Sequence, residues 1–234
     1  MESTPANKKR FFEFISLSLL MGMAAAVATL VFFGWLTDEV LEGDSQQFDE
    51  ATRAAVHQFA TPTLTTIMRG ISFLGSTRFL TIASGIVILI FALRKWGREA
   101  KLFLLTMLGA ALLNTTLKLA FKRARPEPFF DLLPPPTYSF PSGHSLASCC
   151  FFGALAAILS ARIKKKRLRA ILWTIATVMF LSIGLSRIYL GVHHTTDVIA
   201  GFAAAFIWIM VVRFVEMQLE RRKRRRQLAT NEHG

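Results

Sequence analysis

Long apolar runs alternate with short charged segments along this sequence. Of its 234 residues, 53% are hydrophobic, although the chain also carries 28 Lys and Arg residues. Because a run of roughly 18 or more apolar residues can cross a bilayer as a helix, the pattern predicts an all-α polytopic membrane bundle with six transmembrane helices. The predicted spans cover residues 14–36, 71–93, 102–121, 143–161, 170–190 and 198–217.

The first run resembles a secretory signal peptide, since Lys8, Lys9 and Arg10 precede it. It is longer than the apolar core of such a peptide, which has roughly 7 to 15 residues. We therefore expect a retained first helix, and six spans then place the two termini on the same side of the membrane.

The distribution of Lys and Arg predicts the orientation of the chain. Basic clusters follow the second and fourth runs and also occur at both termini, so six spans put all of them on one side. Cytoplasmic loops are the ones that collect Lys and Arg. Both termini are therefore predicted to be cytoplasmic, in a bacterial inner membrane, and the acidic loop after the first run is predicted to be extracytoplasmic.

The formal net charge of +13 would suit a nucleic-acid partner, but the basic residues are spread over four segments next to the membrane. Anionic lipid headgroups are the simpler partner, also for the basic tail at residues 218–234. No repeat or linker divides the sequence, so we expect one membrane-embedded domain over residues 1–234. Cys149 and Cys150 are neighbours within a run and are not expected to form a disulfide.

Apolar residues recur at helical spacing between the first two runs and end before Pro62, which predicts a short amphipathic helix. This helix either lies on the outer leaflet, where it gates lipid entry, or packs as a strap between the first two spans, and the periodicity favours neither. Its apolar positions are Phe48, Ala51, Ala55, Val56 and Phe59.

Residues 127–140 are predicted to form a stiff, aromatic loop, because three consecutive prolines exclude a regular helix. Phe129, Phe130 and Tyr138 would either line the entrance for an acyl or isoprenoid chain or anchor the loop at the interface.

Charged residues near the outer ends of the spans are the candidates for function, since an ionisable group at membrane depth is costly. In the segment KLAFKRARP, Lys118 and Arg125 are seven residues apart, so a continuing helix would present both on one face and grip a dianion. Lys122 and Arg123 either share this task or extend to headgroup phosphates, and we favour the second interpretation.

The segment PSGHS at residues 141–145 predicts the start of the fourth span. Ser142 is expected to cap the helix, and Gly143 to let a phosphate approach the unpaired backbone N–H groups of the first turn. His144 would then lie beside the phosphate, where it could protonate a leaving oxygen.

The segment SRIYLGVHHTTD contains a third cluster. His193 and Asp197 are four residues apart, so on a helix the carboxylate can bind one imidazole nitrogen and leave the other free to attack. Arg187 is suited to phosphate, because its planar guanidinium binds oxygens in pairs. His194 is a rival for the nucleophile, three residues from Asp197.

In residues and in order, these three segments resemble the signatures of the type 2 phosphatidic acid phosphatase superfamily, over residues 118–197. The resemblance implies the haloperoxidase-like helical core of that family, and the six spans favour its bacterial lipid phosphatases over the soluble haloperoxidases. It also implies that His193 is the nucleophile, His144 the general acid and Asp197 the residue that orients the nucleophile. The phosphate-binding positions of the family correspond to Lys118, Arg125, Ser142, Gly143 and Arg187.

The implied reaction passes through a phosphohistidine on His193, which water then hydrolyses. Because cations and backbone amides supply the positive charge, we expect neither a metal nor another cofactor. Two other functions stay open: a phosphotransferase that hands the phosphoryl group to another lipid, and, much less favoured, a non-catalytic channel or scaffold.

The substrate is not determined by these motifs, which grip only a terminal phosphate. Undecaprenyl diphosphate, phosphatidylglycerophosphate and phosphatidic acid all present one, and the compact chain with an outer site slightly favours undecaprenyl diphosphate. The oligomeric state is also left open.

Overall fold

The computed structural model describes residues 5–130, 132–133 and 136–231, with side chains from residue 21 onward except at Met23, 223–226 and 228–231. These residues form helices and connecting loops and contain no strand, which confirms the all-α prediction. The helices are α1 Pro5–Glu42, α2 Gln46–His57, α3 Pro62–Leu74, α4 Thr77–Leu93, α5 Gly97–Phe121, α6 Gly143–Arg162, α7 Lys166–Tyr189 and α8 Thr195–Asn231.

Among the described residues, five helices are long and apolar enough to cross a membrane, and a sixth span results if α3 and α4 are counted together. The predicted second span, residues 71–93, contains a break that the sequence analysis did not predict. The chain bends there by 49° between α3 and α4, because α3 ends at Leu74 and α4 begins again at the capping residue Ser76. The Ser76 hydroxyl accepts the backbone N–H of Phe79 at 3.2 Å.

Helix α6 is the centre of the bundle and packs against α4, α5, α7 and α8. Half of its apolar window is buried, compared with 17% for α5 and for α7. Small residues make this possible, since they let helix backbones approach closely inside a membrane. The small buried residues of α6 and α8 include Gly153, Ala154, Ala156, Ala200, Ala204 and Ala205.

Helix α2 confirms the predicted amphipathic helix. It packs against α7 and α8, so the interpretation as a strap between the first two spans is wrong in its partners. Its apolar side faces outward nevertheless, because Phe48 is 49% exposed and Phe59, just beyond its end, 73%. Its polar side faces the protein, where Asp49 is completely buried.

The loop between α5 and α6 is non-helical wherever it is described, as predicted for residues 127–140; Asp131, Pro134 and Pro135 lie outside the described residues. Phe130 stacks on Tyr189 of α7, with ring centroids 5.5 Å apart. Phe129 lies 4.0 Å from the His57 ring of α2. The two phenylalanines therefore hold the loop against α2 and α7.

Candidate active site

The three charged segments converge on one cavity of about 1220 Å³ that opens between α4 and α5. Six of the eight predicted site residues line it, and Ser142 and Asp197 are buried directly behind them. The six lining residues are Lys118, Arg125, Gly143, His144, Arg187 and His193.

The turn between α7 and α8 positions His193. Gly191 adopts a φ of 73°, which side-chain-bearing residues rarely take, and the chain then enters α8 at Thr195. Asp197 therefore lies in the first turn of α8, where its Oδ2 accepts the backbone N–H of His194 at 3.0 Å. The same oxygen lies 3.1 Å from His193 Nδ1.

The contact with Asp197 assigns the tautomer of His193, because a carboxylate accepts and Nδ1 must then carry the proton. Burial lowers the pKa of His193 to about 3, although the hydrogen bond to Asp197 opposes this shift. The ring is thus neutral at physiological pH, with a lone pair on Nε2. Arg125 Nη1 donates to this atom at 3.0 Å.

Asp197 has two further partners that the sequence did not identify. Ser139 Oγ donates to Oδ2, and Arg123 Nη1 donates to Oδ1 at 2.7 Å. The favoured interpretation of Arg123, an extension to lipid headgroups, is wrong, because its side chain turns inward and only 15% of it is exposed. Arg123 is one of the few cations outside the basic clusters, and this position could have indicated a role in the site. Nothing in the sequence indicated Ser139.

Lys118 and Arg125 do meet, but not on a continuing helix as predicted. Helix α5 ends at Phe121, and Lys122 takes a left-handed conformation with a φ of 48°, which turns the chain away. The two side chains meet because both donate to the carbonyl of Tyr138 in the returning loop. Arg125 Nε also donates to the carbonyl of Thr137 at 2.7 Å.

The start of α6 is built as the sequence predicts. Ser142 is the N-cap, and its hydroxyl accepts the backbone N–H of Ser145 at 3.5 Å. A Cβ at Gly143 would lie 3.1 Å from the amide of Asn114, so this glycine allows α5 and α6 to approach. The Ser142 hydroxyl is fully buried and also accepts from Ser145 Oγ at 3.0 Å; its predicted contact with phosphate stays a prediction.

His144 and Arg187 have hydrogen-bonding atoms without a partner among the described residues. Within the described part of the chain, the His144 imidazole makes no hydrogen bond, and it lines the cavity. Arg187 Nη1 donates to Ser72 Oγ at 2.5 Å, whereas its buried Nε has no partner among the described residues. Both side chains line the cavity.

The site is therefore a cationic cavity that contains a neutral, oriented imidazole. The cavity is lined by four cationic residues, Lys118, Arg123, Arg125 and Arg187, and by the N-terminus of α6, which suits a phosphate group. Over the described ranges, no three His, Cys, Asp or Glu side chains are grouped so that they could hold a metal ion.

The sequence profile of the PAP2 superfamily matches residues 99–220, more than half of the chain. Phosphatidylglycerophosphatase B of Bacillus subtilis is 31% identical over 205 residues, which cover 85% of this chain and 98% of that protein. A lipid A 1-phosphatase of Rhizobium etli is 35% identical over 107 residues, 42% of each chain.

Two solved structures are similar. The PAP2-type phosphatidylglycerolphosphate phosphatase of Bacillus subtilis superposes with a TM-score of 0.76 at 30% identity, over 82% of this chain and 96% of the other. LpxE of Aquifex aeolicus superposes with a TM-score of 0.54 at 24% identity, over 70% and 94%, and supports the fold.

Proposed function

Because this chain belongs to the PAP2 superfamily, we propose that it is a membrane lipid phosphatase, which hydrolyses a terminal phosphate monoester or diphosphate of a lipid. The observation that carries this proposal is the shape of the cavity. Its outer end is lined by the cations and histidines described above, and its deeper walls are apolar side chains of α4 and α5.

The apolar walls fit a lipid chain. They extend along α5 from Lys118 to Leu104, which is 14 residues or about 21 Å of helix, a large part of the hydrocarbon core of a bilayer. Leu104 and Leu108 line the cavity and are also exposed on the outer surface of the bundle, which would let a lipid enter between the helices. A soluble phosphate ester would leave this long apolar surface unused.

In the first step of the proposed reaction, the phosphate binds Arg125, and the hydrogen bond from Arg125 Nη1 to His193 Nε2 breaks. Lys118, Arg125, Arg187 and the first backbone amides of α6 then hold the phosphate oxygens. Nε2 attacks phosphorus in line, and the bond from phosphorus to the lipid oxygen breaks. His144 enters this step as an imidazolium beside the bound phosphate, gives one proton to that oxygen and becomes neutral.

A phosphohistidine results, and its positive ring is stabilised by Asp197. Water then enters, His144 takes a proton from it, and the hydroxyl attacks phosphorus. The P–N bond breaks, inorganic phosphate leaves, and His193 is again neutral. No metal ion takes part in this scheme.

Phosphatidylglycerophosphate is the first substrate to test, because the phosphatidylglycerophosphatase B relative is matched over nearly its whole length. Undecaprenyl diphosphate and phosphatidic acid present the same terminal phosphate. Purified full-length protein should release inorganic phosphate from at least one of these three lipids, assayed side by side without any acceptor. No release from any of them would contradict the proposal, and release only with a second lipid present would indicate a phosphotransferase.

We place the site on the extracytoplasmic face of a bacterial inner membrane, with both termini in the cytoplasm. The basic clusters at the opposite ends of the helices support this orientation. A cysteine introduced at Arg69 or at Lys165, in a chain whose Cys149 and Cys150 are both replaced by alanine, tests it. In intact cells freed of the outer membrane barrier, an impermeant thiol reagent should label the first and not the second. The reverse pattern would invert the topology.

A further inference from the structure

Asp49 is an unexpected buried carboxylate. It belongs to α2, a helix at the outer surface of the protein, yet none of its surface is exposed. A buried charge is costly unless it is paired and hydrogen-bonded. Asp49 is hydrogen-bonded at both oxygens: its Oδ1 accepts the backbone N–H of Thr196 at 2.9 Å, and its Oδ2 accepts the hydroxyl of Thr196 at 2.7 Å.

The same carboxylate also binds Arg123, whose Nη2 donates to Asp49 Oδ2 at 2.8 Å. The other end of this guanidinium, Nη1, donates to Asp197 Oδ1 at 2.7 Å and to Thr196 Oγ1 at 2.8 Å. Arg123 therefore joins Asp49 to the carboxylate that binds His193. His194 lies 4.0 Å from Asp49 Oδ2, beyond hydrogen-bond length.

We propose that Asp49 is a positioning residue for the nucleophile: by holding Arg123 and the first turn of α8, it fixes Asp197 in the orientation that keeps His193 Nε2 directed at the phosphate. This inference rests on the proposed function, in which His193 attacks. It assigns a role in the reaction to a helix that lies outside the three charged segments and outside residues 99–220, the part matched by the family profile.

The geometry explains why a carboxylate is needed. Asp49 accepts three N–H or O–H groups at its two oxygens, and an amide in its place has only one oxygen. Asp49→Asn would therefore direct an NH₂ group at Arg123 or at Thr196, where a donor faces a donor. Arg123 would turn toward Asp197 alone, and Asp197 would lose its fixed position. A small displacement of a reacting group is enough to slow an oriented reaction strongly.

The first test compares Asp49→Asn with Glu50→Gln in purified full-length protein. Glu50 is the adjacent acid, exposed, and bonded only to Gln46 of its own helix, so the control makes the same charge change. With phosphatidylglycerophosphate in mixed micelles, we expect Asp49→Asn to lower kcat about tenfold or more, as when the orienting partner of a functional side chain is lost. We expect its KM to stay within about twofold, because the phosphate-binding cations are untouched.

Glu50→Gln should match the unsubstituted chain in both constants. If the unsubstituted chain releases phosphate and the two variants have the same kcat, the inference is wrong although the proposed function stands. An increase in KM without a fall in kcat would also overturn it. If the unsubstituted chain releases no phosphate, the proposed function fails, and the inference with it.

A second test keeps the proposal falsifiable even if Asp49→Asn folds poorly. Arg123→Lys keeps a positive charge, but one ammonium cannot bridge two carboxylates as the planar guanidinium does. We expect Arg123→Lys to lower kcat with little change in KM. In the double variant, we expect Asp49→Asn to cause almost no further loss of kcat beyond that of Arg123→Lys alone. A normal kcat in Arg123→Lys, or losses that multiply in the double variant, would show that Asp49 does not act through Arg123.

Discussion

His193 is held between two opposite charges, and each has a separate task. Asp197 binds the Nδ1 proton and so leaves the lone pair on Nε2, the atom that faces the cavity. Arg125 donates to that lone pair. In the proposed reaction, a phosphate that binds Arg125 would also free Nε2 for attack.

His193→Ala should reduce phosphate release by a factor of about 1000 or more, because no other group in the scheme can form the covalent intermediate. His194→Ala is the matched control: it is the neighbouring histidine and the rival for the nucleophile, and it makes no hydrogen bond to Asp197 through its ring. It should keep most of the activity.

Turnover and melting temperature of both purified variants check this prediction. Substantial activity in a folded His193→Ala protein, or complete loss in His194→Ala, would transfer the nucleophile to His194.

The ends of helices, more than their middles, position the chemistry. Helix α5 ends at Phe121 and releases a segment that carries Arg123 inward and Arg125 toward the cavity. The turn at Gly191 places His193 just before α8, and the N-terminus of α6 faces the same cavity. Within a helix the chain runs in one direction, so residues far apart along it stay far apart. At a helix end the chain can turn, which brings side chains from different elements into the same cavity.

Gly191→Ala should disrupt the site. The alanine would have to adopt a positive φ, at a cost of about 1 to 3 kcal/mol, and its Cβ would lie 2.7 Å from the backbone N of Phe129. Gly43→Ala is the control, since Gly43 has a φ of 88° but no atom within 4 Å of the new Cβ. It shares the strain without the clash.

We expect both variants to lower the melting temperature, Gly191→Ala by more, and only Gly191→Ala to lower kcat. Thermal unfolding and turnover measure the two effects. Equal losses of stability with normal turnover in both variants would mean that the packing of this turn is unimportant for His193.

The bundle as a whole is organised around α6, which leaves its first turn exposed to a cavity that reaches from the charged end deep into the apolar layer. The outward surfaces of α4, α5 and α7 carry many exposed large apolar residues, as expected of a protein surrounded by lipid. The cavity is bordered by apolar residues of α4 and α5 at one end and by the cationic residues of the site at the other.

Gly85→Leu should narrow the apolar part of the cavity, because Gly85 lines it and has open space where a side chain would start. We expect KM for long-chain phosphatidylglycerophosphate to rise about tenfold, within the range for a blocked apolar contact, while a short-chain analogue is turned over normally. Gly70→Leu is the control: this α3 glycine also has open space but does not line the cavity. Equal KM values for both variants would contradict a lipid-chain site between α4 and α5.

Treatment with EDTA should leave phosphate release unchanged. In the proposed scheme, Lys118, Arg125, Arg187 and the α6 amides supply all the positive charge that the transition state needs. Phosphate release from protein dialysed against EDTA, with and without added Mg²⁺, measures this. A strict requirement for Mg²⁺ would overturn the metal-free scheme.

Much of the fold and the residues of the site could be predicted from the sequence, because they depend on local patterns. The length of an apolar run sets whether it can span a bilayer, and this predicted the all-α bundle. Lys118, His144 and the pair His193 and Asp197 each belong to a short motif, which is likewise a local pattern, and the family resemblance rests on these motifs. The break at Gly75 escaped prediction, because the apolar run continues across it.

Patterns along the chain are enough to assign the membrane class, the helical architecture and the groups available for chemistry. The hydrogen bonds that join those groups are visible only in the folded protein: Lys118 and Arg125 meet at a loop carbonyl, and Asp49 reaches Thr196 across 147 residues and Arg123 across 74. Such hydrogen bonds depend on distance in space and not on separation along the chain. The spacing of residues along the chain does not indicate which distant carboxylate a buried guanidinium will bind.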